Sequence, residues 1–106
     1  MPGPVDIYDM AQTWNDAATT FDGIKLDVTD TASAADSRLL DLLVGGSSKL
    51  RLTKSGRLGI GEASPDGLLH IKGAGYVYSY LESTGSGGTI DRYVTDSAEF
   101  AWWTKG

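Results

Sequence analysis

The chain has 106 residues, 41% of them hydrophobic and 22% charged, which suits one soluble domain or one segment of a longer protein. Fourteen acidic against nine basic side chains, with no run of Lys or Arg, exclude the clustered positive charge of a nucleic-acid binder. The absence of Cys excludes disulfides, thiolate catalysis and cysteine metal sites, and no apolar run approaches the roughly 18–20 residues of a membrane span, so no membrane insertion is expected.

Residues 1–20 read as an N-terminal arm. Pro2, Gly3 and Pro4 prevent regular structure at its start. Ile7, Met10, Trp14, Ala18 and Phe21 fall near helical spacing and Asp6 offers a cap, but Thr13, Asn15, Thr19 and Thr20 are poor helix formers. The arm is therefore expected to be irregular or to hold one short helix. The opening MPGPVDIYDM has neither the basic nor the apolar region of a signal peptide, which points to a cytosolic product or a particle component.

From Phe21 the period changes to two. Ile24, Leu26 and Val28 alternate with Lys25, Asp27 and Thr29, predicting a half-buried strand. After a loop of small residues, RLLDLLV at 38–44 predicts a second strand with leucine on both faces. Gly45-Gly46-Ser47-Ser48 reads as a hairpin turn, returning the chain through 49–53 with Leu50 and Leu52 in register. Short strands at 57–60 and 68–71 follow. YVYSYLE at 76–82 then sets Tyr76, Tyr78 and Tyr80 on one face, and strands at 89–95 and 100–104 complete the chain.

Short strands at this spacing define an all-β chain, a meander of hairpins divided into the arm (1–20), a first β-meander (21–61) and a second, aromatic-rich β segment (62–106). Several strands carry only two or three large apolar residues, too few for a self-sufficient sandwich. The expected solution is a core shared between chains, with Ile24, Leu26, Val28, Leu40, Leu42, Leu50, Leu52, Tyr76, Tyr78 and Tyr80 at the interface.

Two segments carry a resemblance. TWNDAATTFDGIKLDVTDTASAADSRLLDLLVGGSSKLRLTKSGRLGIG (13–61) and GIGEASPDGLLHIKG (59–73) resemble modules of bacteriophage tail fibres and tail spikes. The second is similar to the G-x-x-G-I-G-x-x-x-P-x-x-x-L-x-V segment of long fibres, many of which end in an endosialidase-type intramolecular chaperone. The resemblance covers more than half the chain. It implies a virion tail component, a fibre-like parallel homotrimer that connects structural parts and attaches to the host. The expected partners are the chain itself, other tail or portal-proximal proteins, and a host surface glycan. The arm, with Ile7, Tyr8, Met10 and Trp14, is the expected docking segment on the virion, being the least regular part.

Chemistry-bearing residues weigh toward structure. Gly59-Ile60-Gly61 and 85–88 lack the following helix and Gly-Lys-Ser/Thr ending of a phosphate loop, and read as turns. Asp27 and Asp41 lie on neighbouring predicted strands, as a glycosidase pair would require, but scattered acids more often form a solvated face. No D-x-D-x-D-G calcium loop occurs, and His70 is more readily an ordinary strand histidine than an axial ligand. No catalysis and no cofactor or metal are expected. Tyr93, Trp102 and Trp103 are the candidate glycan contacts, because aromatic faces stack on sugars. The alternative reading is a monomeric β-sandwich that binds carbohydrate through these C-terminal aromatics.

Overall fold

The computed structural model describes residues 5–89. They contain no helix and one four-stranded sheet: β1 (Arg38–Val44), β2 (Ser47–Thr53), β3 (Leu58–Ile60) and β4 (Leu69–Ile71), hydrogen-bonded in that order. The fold of the described residues is therefore all-β. The chain divides into two units, one ending at Ile71 and one beginning at Lys72. The sheet belongs to the first and runs through 61/62, the boundary expected between the two β segments.

The β1–β2 hairpin closes on Gly45 and Gly46 alone. Both have positive φ, 56° and 81°, which a two-residue turn matching the twist of its strands requires. Ser47 and Ser48, expected in the turn, instead open β2 and pair with Val44 and Leu43. The register then slips by one residue, so that Leu42 faces Leu50 and Asp41 faces Arg51. A second hairpin, through Lys54 to Arg57, lays β3 antiparallel to β2. Its turn is held by the Thr53 N–H donating to the Arg57 carbonyl and the Gly56 N–H to the Thr53 carbonyl, with Gly56 at φ 91°.

The last connection departs from a meander. Strand β4 runs parallel to β3, so 61–68 must carry the chain back before β4 begins. Two arginines hold this short crossover. Arg51 Nη1 donates to the Ala63 carbonyl at 2.9 Å, and Arg57 Nη1 to the Pro65 carbonyl at 3.2 Å. Both strands span only three residues, so a brief return suffices.

Two expected strands are not formed. Residues 24–28 keep their alternation, but join no ladder and leave Ile24, Leu26 and Val28 exposed. Residues 76–82 likewise form no strand, and Tyr76, Tyr78 and Tyr80 are exposed, with the Tyr76 and Tyr78 rings 6.2 Å apart. Alternation prepares a segment for a two-sided environment, whereas a strand also needs a partner for its backbone groups.

The arm contains no helix among the described residues, because its polar side chains take the backbone into local turns. The Asp16 carboxylate accepts from the Ala18 N–H at 3.0 Å and from Thr19 Oγ1 at 2.7 Å, and that of Asp9 from the Ala11 N–H at 3.1 Å. Trp14 stacks on Phe21 with ring centroids 5.0 Å apart and donates through Nε1 to Gln12 Oε1.

Candidate assembly surface

The register of the sheet sorts its side chains into two faces. On one, Leu40, Leu52, Leu58 and Leu69 form a row across all four strands, and Leu42, Leu50, Ile60 and Ile71 form a second. Between the rows, pointing to the opposite face, stand Asp41, Arg51, Gly59 and His70. One face is thus entirely aliphatic at these positions, and the other carries Asp41, Arg51 and His70, with the exposed Leu43 at its hairpin end.

The chain covers the middle of the polar face itself. Arg51, only 9% exposed, donates through Nη2 and Nε to the two Asp41 carboxylate oxygens at 2.8 and 3.1 Å, and Ser48 Oγ donates to the same carboxylate at 2.8 Å. Its remaining amino group reaches Ala63, so one guanidinium joins β1, β2 and the crossover. Gly59 is buried beneath that crossover and Pro65 within it, and a Cβ at Gly59 would collide with the Glu62 carbonyl oxygen. At the far end the Asp66 N–H donates to His70 Nδ1 at 3.1 Å. His70 therefore serves the crossover, on the side away from the aliphatic rows.

Nothing among the described residues closes the aliphatic face. Leu42 is 51% exposed and Leu69 59%, while Leu50, Leu52 and Leu58 are half-buried by their neighbours in the sheet. Apart from Pro65, no apolar side chain among the described residues is buried. Of the residues expected at an interface, Leu40, Leu42, Leu50 and Leu52 are brought together here. Ile24, Leu26 and Val28 precede the sheet unpaired, and Tyr76, Tyr78 and Tyr80 belong to the second unit. Within the arm, Ile7, Tyr8, Met10 and Trp14 are exposed. Tyr93, Trp102 and Trp103 lie outside the described residues.

Sequence reasoning read strands around Leu58, Ile60, Leu69 and Ile71 without assigning them to this surface. It also sets Asp41 on a strand next to that of Asp27, as part of a solvated acidic face rather than a catalytic pair. Asp41 is occupied by Arg51 and Ser48, and Asp27 stands in the unpaired segment. The opposite charges of Asp41 and Arg51 were the available signal. A regular hairpin on Gly45-Gly46 would have placed Asp41 across from Leu50, and the register slip hid the pair.

Hydrogen bonds from Arg51 first, then from Ser48, hold the Asp41 carboxyl below the usual carboxylate range. A depressed folded-state pKa stabilises the fold fully above the unfolded value of about 4, and the contribution is lost as pH falls from there through the folded value. Asp41→Asn should lower the melting temperature at pH 7 and flatten its decline as pH falls below about 4. Melting curves across that range check this; equal acid sensitivity of the two proteins would remove Asp41 from the account.

Comparison of the chain with family models, curated proteins and solved structures found no match.

Proposed function

We propose that this chain is a structural component of a phage tail, a fibre or spike module that assembles as a homotrimer and acts in virion assembly and host attachment without catalysis. The observation that carries the reading is the asymmetry of the sheet. Its polar face is covered around Arg51 and Gly59 by the chain's own crossover, while its aliphatic face, two rows of four side chains, is left open. Half-exposed aliphatic side chains gain about 1 kcal/mol each when their remaining surface leaves water. Covering this face with equivalent faces of other copies thus supplies the hydrophobic core that the described residues lack. The similarity of 13–73 to tail-fibre modules supplies the context and the threefold stoichiometry.

In this reading the exposed Ile7, Tyr8 and Met10, together with Trp14, dock the module onto other tail or portal-proximal proteins. Antibody labelling of intact particles tests the reading. Label confined to tails supports it, and label on the capsid, or on no particle component, overturns it.

A second reading, a monomeric carbohydrate-binding module, has one observation in its favour: Tyr76, Tyr78 and Tyr80 are all at least 80% exposed. That reading leaves the open aliphatic face of the sheet without a role. The fibre reading is therefore the stronger.

A further inference from the structure

The segment just ahead of the sheet has the composition of a strand and no ladder. In 24–29 (IKLDVT), Ile24, Leu26 and Val28 alternate with Lys25, Asp27 and Thr29, yet none of these residues makes a backbone hydrogen bond among the described residues, and Leu26 is 64% exposed. The outer edge of β1 is the complementary element. It is seven residues long and apolar at five of them, and it too has no ladder partner among the described residues. A long apolar edge of this kind is a template for another strand.

We propose that residues 24–29 of one copy add as a strand to the outer edge of β1 in a second copy, so that the subunits exchange arms as well as share a core. The proposal rests on the homo-oligomeric reading above. Two features point to a second copy. First, residues 30–37 are tied to the inner side of the chain's own β1, where β2 ends. Lys54 Nζ donates to the Asp30 carboxylate at 2.9 Å, to Ser33 Oγ at 2.7 Å and to the Ser33 carbonyl at 3.2 Å, and the Lys54 N–H donates to the Ser37 carbonyl at 2.9 Å. So held, Leu26–Thr29 line one cavity with Arg38 and Leu39 at the start of their own β1, yet make no backbone hydrogen bond to it. Second, the patterns interlock. Setting Lys25 opposite Asp41 puts Ile24 and Leu26 beside Leu40 and Leu42 whichever way the strand runs, and both aliphatic rows are extended by one residue.

The native chain has no Cys, so introduced thiols report without background. Two differently tagged full-length chains are co-expressed, one carrying Asp27→Cys and the other Leu39→Cys or Leu43→Cys. Residue 27 falls opposite residue 39 in the antiparallel arrangement and opposite residue 43 in the parallel one, near enough for a disulfide. After mild oxidation, non-reducing gels should show a mixed-tag covalent dimer with one of the two partners, which also gives the strand direction. A chain carrying both cysteines should link between copies. An oligomer by light scattering that yields no mixed dimer, or a double-cysteine chain that closes only within itself, would overturn arm exchange while leaving the shared core standing. A single-chain mass without cross-links would overturn both.

Discussion

Leu42→Asp is expected to abolish assembly. In the isolated chain Leu42 is half exposed, so a carboxylate there would remain solvated and cost little, within about 0.5 kcal/mol as for most surface changes. If the aliphatic face is covered by other copies, the same carboxylate is buried without a partner, at several kcal/mol per chain, and every copy in the assembly carries it. The substitution thus separates an open face from a shared core by the size of its effect. Sedimentation and thermal melting of the variant provide the readout. Ile71→Asp, on the opposite edge strand of the same row, should behave alike if the whole width of the sheet is covered. An assembled Leu42→Asp protein with unchanged melting would mean that another surface carries association.

Gly59→Ala should produce the largest loss of stability from a single methyl group. The added Cβ meets the Glu62 carbonyl oxygen, a backbone atom that moves only with the crossover, and lies 3.5 Å from Pro65 Cβ. Overpacking of this sort costs about 1–3 kcal/mol, more where backbone must shift. The displaced loop would also lose the Arg51 and Arg57 hydrogen bonds to Ala63 and Pro65. Gly85→Ala, where a Cβ meets open space, is the control and should change stability by less than about 0.5 kcal/mol. Denaturant titration of both variants, with hydrogen exchange over 61–67, measures the difference. Equal stability would show that the crossover does not seat on Gly59.

Much of this sheet was legible in the chain. The alternation in 38–44 and 49–53, the paired glycines between them and the Ser55-Gly56 turn read directly as adjacent strands, because period and turn chemistry are local properties. The short strands around Leu58 and Leu69 were visible for the same reason. Their parallel pairing was not, because it depends on two arginine side chains reaching carbonyls eight and twelve residues away. The Asp41–Arg51 contact was hidden by one slipped residue in the hairpin. Residues 24–28 and 76–82 show the converse: their alternation was read correctly, but no strand formed, since a ladder requires a partner that their own sequence cannot reveal. The assembly surface was half legible. Leu40, Leu42, Leu50 and Leu52 follow from period two alone, whereas Leu58, Ile60, Leu69 and Ile71 join them only once the four strands are seen in one register.

The central claim is that the open aliphatic face is closed by copies of the same chain. Multi-angle light scattering of the purified full-length protein tests it most directly: the account predicts one species at three times the 11.2 kDa chain mass, stable on dilution, and a species at the single-chain mass, folded and soluble at the same concentration, would contradict it.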